Sequence, residues 1–157
     1  EDWVGAGNGV EGDYLARKIA AVNAAVELHK DHLNDPLEIM RRLGGREVAA
    51  IAGAILAARV EKIPVLIDGY VPTAAAALLK AANPCALEHC MSGHASAEKG
   101  HLAAIEKLGK TPLLALGIQM GEGVGAALAA GIVKAAAACH SGMATYEMTG
   151  IQKLTTH

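Results

Sequence analysis

The sequence predicts an α/β fold in which a parallel sheet is flanked by helices, a Rossmann-like three-layer arrangement, with a small helical part. One continuous aliphatic run, IPVLIDG at 63–69, is typical of a parallel strand buried on both faces. Strand and helix patterns alternate through the middle of the chain, which is the order that produces parallel pairing. Aromatic residues make up only 3% and Phe is absent, so small side chains must pack closely. The 157 residues fit one domain of ordinary size.

The first helix follows a glycine-rich loop. Leu15, Ile19, Val22 and Val26 recur at spacings of four, three and four residues. This period places them on one side of a helix, so we expect that face to be buried.

A second helix has clear start and stop signals. Asp35 is the expected N-cap, Pro36 takes the first helical position and Glu38 follows three residues after the cap. Gly44 and Gly45 are expected to end it. The helix after it, from about Glu47 to Arg59, contains Gly53, which we interpret as a place where another backbone comes close, because a central glycine costs about 1 kcal/mol relative to Ala.

The strand at 63–69 is followed by a predicted helix over 71–84. Residues 85–93 form a second, weaker strand pattern, and a further helix is expected from Ser96, its N-cap, to Gly109, its stop. The last third of the chain predicts a helix from Gly125 to Met143 and a short helical or irregular tail through 143–152.

Charge and composition narrow the class of protein. Lys and Arg total 14 against 16 for Asp and Glu, and this net charge of −2 gives no electrostatic footprint for nucleic acid. The apolar stretch 124–139 is interrupted by Lys134 and rich in Ala, so we expect it to be too short and too weakly hydrophobic to span a membrane. Three cysteines are too few and too irregular for a disulfide framework, which favours a cytoplasmic protein.

The first glycines match the G-x-G-x-x-G pattern of dinucleotide-binding loops. Gly7, Gly9 and Gly12 precede a helix, and Asp31 lies near the position of a ribose-binding acid. The pattern requires a strand just before it, and only three residues, DWV, are available. A turn and helix entry is therefore favoured, and a dehydrogenase is the weaker alternative.

Several polar residues are expected at the carboxyl ends of strands, where open α/β sheets bind ligands. Asp68 ends the clearest strand, although an acid there also suits a turn. His94 and Ser96 follow the second strand, where a hydroxyl and backbone N–H groups could meet an anion. Five residues close in sequence raise a zinc alternative: Cys85, His89, Cys90, His94 and His101. A second cysteine pair is missing, so we expect no metal site.

The stretch MGEGVG at 120–125 combines glycines with an acid. Gly121, Gly123 and Gly125 lead into an alanine-rich helix, as phosphate-binding loops do, yet Glu122 would repel a phosphate. The flanking glycines leave that carboxylate unshielded and let a flat ligand approach the backbone. This pattern favours a general base over a charge that merely stabilises the helix start.

Long ordered segments carry a resemblance to a known family. They are GAGNG at 5–9 before the helix with Lys18, the segments 35–56, 63–79 and 92–109, MGEGVGAALA at 120–129 and MATYE at 143–147. On these residues the chain, 1–157, resembles the C-terminal portion of a single nicotinate-nucleotide–dimethylbenzimidazole phosphoribosyltransferase domain whose N-terminal half is absent. Ala95 and Tyr70 stand where the resemblance would place Arg and Phe.

The resemblance implies a cytoplasmic homodimer that needs no metal or cofactor. Such an enzyme transfers the phosphoribosyl group of nicotinate mononucleotide to 5,6-dimethylbenzimidazole and releases α-ribazole 5′-phosphate and nicotinate. It implies that Glu122 is the catalytic base. The expected substrate-binding residues are Gly121, Gly123, Gly125, Lys18, Gly7, Gly9, Asp68, His94 and Ser96. A non-catalytic nucleotide- or base-binding relative, or an inactive fragment, is the alternative.

Overall fold

The structure is a computed structural model that describes residues 3–7, 9 and 11–150. Its helices are α1 (Asp13–Leu28), α2 (Pro36–Ile39), α3 (Gly45–Val60), α4 (Tyr70–Ala82), α5 (His101–Lys107), α6 (Val124–Gly142) and α7 (Tyr146–Thr149). Its strands are β1 (Val65–Ile67), β2 (Cys90–His94) and β3 (Pro112–Leu114). A 3₁₀ turn covers Lys30–His32, and a π-helical turn covers Met40–Gly44 between α2 and α3. The predicted tail falls partly on residues 151 and 152, which lie outside the described residues.

The three strands form one parallel sheet in the order β1-β2-β3. Val65 pairs with Cys90, and His94 pairs with Leu114. β1 matches its prediction, whereas β2 begins only at Cys90 because residues 85–89 form turns. β3 was not predicted.

Helices cover both faces of this sheet. A side chain at Gly93 would meet the backbone of Ala126 at 3.1 Å, so that face of β2 lies directly under α6. Cys90, three residues earlier, points the other way and packs in the main core with Ile55 of α3 and Leu79 of α4. The predicted α/β class, a parallel sheet between helices, is therefore confirmed.

The main core lies between the sheet, α3 and α4. Small side chains let these elements approach closely, and Ala75 and Ala76 are completely buried. Its buried members are Ala52, Ile55, Ile67, Ala75, Ala76, Leu79, Ala86, Leu87, Cys90 and Leu108. This is the close packing that a chain without Phe requires.

The start of α2 follows its sequence signal. Asp35 Oδ1 accepts hydrogen bonds from the N–H groups of Leu37 at 2.8 Å and Glu38 at 3.4 Å, with Pro36 in the first turn. Gly45 has a φ of 69°, a left-handed value that interrupts the helical path before α3.

Two predictions about helix surroundings are wrong. A side chain at Gly53 would meet nothing within 4 Å, so no other backbone among the described residues approaches it. The apolar side of α1 is not buried within the described chain, since Val22 and Val26 are 39% and 41% exposed.

α6, Val124–Gly142, lies within one residue of its predicted bounds 125–143, but it is longer and more apolar than the expectation about membrane spanning allowed. It runs for 19 residues with a mean hydropathy of 1.4, so by length and composition alone it could cross a membrane, contrary to expectation. Core helices of soluble proteins have the same length and composition but are mostly buried, whereas only 11% of this stretch is buried. α6 contacts all three strands through a face that includes buried Gly125 and Ala129. Leu128 and Ile132 on this helix are about half exposed.

Candidate active site

A cleft of about 870 Å³ lies at the carboxyl edge of the sheet. Six residues proposed from the sequence line it: Asp68, His94, Ser96, Gly121, Glu122 and Gly123. They come from the ends of β1 and β2 and from the loop before α6, which parallel pairing brings to the same edge.

The other proposed residues lie elsewhere. Gly7, Gly9 and Lys18 are not among the residues that line the cleft. Lys18 Nζ donates a hydrogen bond to the carbonyl oxygen of Gly5 at 2.8 Å, which ties α1 to the N-terminal loop. That loop borders the cleft, because a side chain at Gly5 would lie 3.9 Å from Oε2 of Glu98, a cleft residue.

Asp68 connects the end of β1 to the start of α6. Its Oδ2 accepts a hydrogen bond from the N–H of Gly123 at 3.0 Å, and its Oδ1 accepts one from the N–H of Ala126 at 2.8 Å. The carboxylate thus caps α6 from a distant segment and meets the positive end of the helix. Hydrogen bonds to a charged acceptor contribute about 1.5–3 kcal/mol each.

Glu122 lies in the turn that Asp68 holds. Its φ is 63° and that of Gly123 is 84°, so two consecutive residues are left-handed. A left-handed conformation at a non-glycine residue costs about 1–2 kcal/mol. The free energy of the two hydrogen bonds to Asp68 is sufficient to offset this cost. The turn therefore presents an exposed Glu122 on the cleft wall.

Gly125 supports the site by leaving room for His94. A Cβ atom at Gly125 would overlap the His94 imidazole at Cδ2, Cγ and Nε2. Gly125 is buried in the first turn of α6, so its role in this structure is close packing. The proposal that it binds substrate is not supported by its position.

His94 is 1% exposed and packs beside Asp68. Its Nε2 is 3.4 Å from Asp68 Oδ1, but the geometry is not that of a hydrogen bond, and neither imidazole nitrogen has a partner among the described residues. The two atoms are therefore close to each other without forming a hydrogen bond. The ring of His101 lies edge-on to it at 5.8 Å between centroids.

Ser96 contacts a buried histidine that the sequence marked only as a zinc candidate. The Ser96 N–H donates to Nδ1 of His101 at 3.0 Å, and the Ser96 hydroxyl lies 2.8 Å from the same nitrogen. Nδ1 must therefore be unprotonated, and Nε2–H donates to the Thr73 hydroxyl at 2.9 Å. Thr73 in turn donates to the carbonyl oxygen of Gly69 at 2.8 Å, which completes the chain.

This network requires a neutral His101. The ring is completely buried, and burial, assisted by the nearby His94, lowers the pKa of His101 to about 4, while Asp68 acts in the opposite direction. Ser96 is not the N-cap that the sequence predicted, because α5 begins at His101 after Gly100. Its Oγ instead accepts from the N–H of Glu98 at 3.3 Å in the preceding loop.

The cleft is acidic. Four carboxylate residues line it: Glu47, Asp68, Glu98 and Glu122. None of the described residues along its wall is Lys or Arg. The wall therefore favours positive charge in a ligand and disfavours a phosphate.

Sequence reasoning missed other lining residues. Tyr70, Gln119 and Met120 lie on the wall, together with Glu47 from the first turn of α3. Burial, followed by the charge of Glu98, raises the pKa of Tyr70. Gln119 and Met120 directly precede the Gly-Glu-Gly turn, so the loop position itself was a usable signal.

The alternatives from the sequence receive no geometric support. Within the described residues no group of three His, Cys, Asp or Glu side chains is placed to hold a metal ion. His89 Nε2 instead lies 3.0 Å from the carbonyl oxygen of Ile55, and Cys90 is buried in the core. In 3–7, 9 and 11–12, the described part of the glycine-rich loop, no strand precedes Gly7, so the dinucleotide pattern lacks its structural context.

Comparison with known proteins identifies the family. The model of a family described as phosphoribosyltransferase matches residues 1–151. The chain is 79% identical over 151 residues to nicotinate-nucleotide–dimethylbenzimidazole phosphoribosyltransferase of Agrobacterium fabrum, covering 96% of the chain and 44% of that protein. It is 74% identical over 157 residues to the enzyme of the same name from Allorhizobium ampelinum, covering 46% of it.

Solved structures agree in fold. A crystal structure of the enzyme of that name from Thermus thermophilus has a TM-score of 0.83 and 38% identity, covering 97% of this chain and 44% of that one. A crystal structure from the same organism, named CobT, has a TM-score of 0.86 and 38% identity, covering 96% of this chain and 44% of that one. The chain thus spans less than half the length of these relatives. It belongs to the phosphoribosyltransferase family that includes the nicotinate-nucleotide–dimethylbenzimidazole phosphoribosyltransferases.

Proposed function

We propose that the protein transfers the phosphoribosyl group of nicotinate mononucleotide to 5,6-dimethylbenzimidazole or a related base, with Glu122 as general base. The products are α-ribazole 5′-phosphate and nicotinate. The observation that carries this proposal is the position of Glu122, exposed on the wall of the cleft in a left-handed turn between glycines. High identity to enzymes of that name supports the choice of reaction.

The reaction needs a general base at the ring N–H of the benzimidazole that does not attack C1′. One ring nitrogen of the benzimidazole attacks C1′, and the bond from C1′ to the pyridinium nitrogen breaks, its electron pair neutralising the pyridinium. As the new bond forms, the other ring N–H becomes strongly acidic. An ionised carboxylate within hydrogen-bond reach can accept that proton and select the attacking tautomer.

The acidic cleft suits the charge of the reacting centre. The pyridinium nitrogen bonded to C1′ carries a positive charge, although the same ring also bears the nicotinate carboxylate, and positive charge develops on the ribosyl group as the bond breaks. Four carboxylate residues on the wall stabilise positive charge at that place. This chain therefore supplies the wall that faces the rings and C1′.

The phosphate group of nicotinate mononucleotide requires cationic side chains that do not line this cleft wall. Lys18 and the glycines Gly7 and Gly9 belong to the N-terminal loop and the adjoining α1, and that loop borders the cleft at Glu98. We keep them as proposed phosphate-binding residues, with Ser96 as a hydroxyl contact and His94 and Asp68 as nearby polar groups. The rest of the positive charge would come from the part of the enzyme that this chain does not cover.

The domain position, location and oligomeric state proposed for the whole enzyme are those that the family resemblance implies. The chain corresponds to the C-terminal portion of the catalytic domain, and the complete protein is a cytoplasmic homodimer. The apolar sides of α1 and α6, with Val22, Val26, Leu128 and Ile132 at 39–52% exposure, are surfaces that such an assembly could cover.

Replacing Glu122 by Gln in the full-length protein tests the base. We expect kcat to fall by about 10²–10⁴-fold, since the amide cannot accept the proton, while calorimetric binding of both substrates persists. Glu47→Gln is the matched control, because it removes another carboxylate from the same cleft and should change kcat far less. Near-normal turnover in the Glu122→Gln variant would refute the assignment.

A non-catalytic base- or nucleotide-binding role is the second candidate. The chain spans only 44–46% of the length of two of its relatives, so binding and catalysis should be measured separately. Binding of nicotinate mononucleotide and dimethylbenzimidazole without release of nicotinate by the full-length protein would establish binding alone.

A further inference from the structure

Asp68 joins two segments that are far apart in sequence. It follows β1, and its carboxylate contacts the first turn of α6, 55 residues away at Gly123 and 58 residues away at Ala126. Both carboxylate oxygens are used, one for each N–H group. The side chain is only 12% exposed, so the arrangement is sheltered within the fold.

The bond to Gly123 acts directly on Glu122. The Gly123 N–H belongs to the peptide group that begins at Glu122, so its orientation is set by ψ of Glu122. Fixing this N–H on Asp68 Oδ2 at 3.0 Å therefore fixes the direction in which the Glu122 Cα–Cβ bond leaves the backbone. With a φ of 63°, Glu122 has an uncommon backbone conformation that its surroundings must maintain, and this hydrogen bond restrains the peptide group that follows it.

His94 limits the movement of Asp68 on another side. Its Nε2 lies 3.4 Å from Oδ1, and its ring occupies the space next to Gly125 where a side chain would otherwise be. Asp68 is thus surrounded by two backbone N–H groups and a buried imidazole. A carboxylate in this setting has little freedom to turn toward a ligand.

We infer that Asp68 is a positioning residue for Glu122, holding the Gly-Glu-Gly turn so that the Glu122 carboxylate meets the attacking base. This inference rests on the proposed function of Glu122. It goes beyond the sequence-based expectation that Asp68 binds substrate, because the hydrogen bonds of both oxygens run to the backbone of the turn. Misplacing a reacting group by about 1 Å costs about 100-fold in rate, so a small shift of the turn is sufficient.

Asp68→Asn in the full-length enzyme is the sharpest test. Asn retains one acceptor oxygen but turns an NH₂ group toward the second N–H, so one of the two bonds to α6 is lost. We expect kcat to fall about 10- to 100-fold, with little change in KM for either substrate. Asp35→Asn is the matched control, because Asp35 caps α2 with a single oxygen that Asn also has.

A double variant separates positioning from a general structural role. In the Glu122→Gln background, Asp68→Asn should reduce kcat no further, because there is no base left to position. An equal loss in both backgrounds, or a folded Asp68→Asn enzyme with normal kcat, would overturn the inference. Normal kcat in Glu122→Gln alone would instead refute the proposed function.

A measurement on the unaltered enzyme keeps the test valid if Asp68→Asn does not fold. Amide hydrogen exchange over residues 119–127, followed by mass spectrometry, should show protection at Gly123 and Ala126. Exchange of both amides at unprotected rates would show that Asp68 does not hold the turn.

Discussion

Acidification from pH 7 to pH 4 should destabilise the protein through His101. This residue is completely buried, and its pKa is lowered to about 4 by burial first and by the nearby His94 second. In the unfolded chain a histidine has a pKa of about 6.5. Between these values the unfolded chain binds a proton and the folded protein does not, so acid favours unfolding.

The magnitude follows from the difference between the two pKa values. A separation of about 2.5 pH units at about 1.36 kcal/mol per unit gives about 3 kcal/mol. This stability is present above pH 6.5, decreases as the pH falls through the unfolded value and is lost near pH 4. The hydrogen bond from the Ser96 N–H agrees with the direction set by burial, because a protonated Nδ1 could not accept it.

Urea unfolding at several pH values measures this effect. Other groups titrate in the same range, so the quantity of interest is the difference between the unaltered protein and His101→Gln, which cannot take up a proton. We expect the fall in unfolding free energy from pH 7 to pH 4 to be smaller in His101→Gln by about 3 kcal/mol. His140→Gln, at an exposed site on α6, is the matched control for the removal of an imidazole.

An independent measurement is the titration of the His101 ring by NMR. The Cε1–H resonance should begin to shift only well below pH 6. A midpoint near 6.5, or equal pH dependence in His101→Gln and the unaltered protein, would contradict the proposed neutral hydrogen-bonded ring.

Two further changes test the packing and backbone conformations near the site and at the end of α3. Gly125→Ala should lower the unfolding free energy by about 1–3 kcal/mol, because its methyl group overlaps the His94 ring. Gly131→Ala on the same helix should raise it by about 1 kcal/mol, because the added methyl group meets none of the described residues within 4 Å. Equal effects of the two substitutions in urea unfolding would contradict this account. Lys62→Gly should raise the unfolding free energy by about 0.5–1 kcal/mol, because Lys62 has a φ of 58° that glycine adopts without strain. A lower urea midpoint for Lys62→Gly would show that the lysine side chain contributes more than the strain costs.

The sequence predicted those helices and strands whose signals lie within a few neighbouring residues. The aliphatic run of β1 and the cap of α2 at Asp35 are encoded within a few residues, and both were found. β3 was missed because it has only three residues, begins with Pro112 and, within the part of the chain that the structure describes, pairs with β2 alone. Proline at the first position of an edge strand is allowed by the structure, but in sequence it argues against a strand.

The sequence predicted those site residues that directly follow a strand, because the strand order places them at the carboxyl edge of the sheet. Asp68 and Ser96 were expected at the carboxyl edge, and parallel pairing brings both to the cleft with Glu122. The partnership of Thr73 with His101 spans 28 positions, and no sequence period reports such a contact. A polar residue within the alanine run of α4 was the one available signal for Thr73.

The carboxylates of Asp68 and Glu122 differ in the hydrogen bonds that they already accept, and this difference bears on their chemical roles. Asp68 accepts backbone hydrogen bonds on both oxygens, so a proton or ligand would have to displace one of them. Glu122 receives no hydrogen bond from any residue that the structure describes, although it lies on the same wall. Of the two, Glu122 therefore has carboxylate lone pairs that no described residue already uses, as the proposed general base requires. The acid at the strand end, which topology alone would select as the ligand-binding group, is better suited to supporting the acid on the loop.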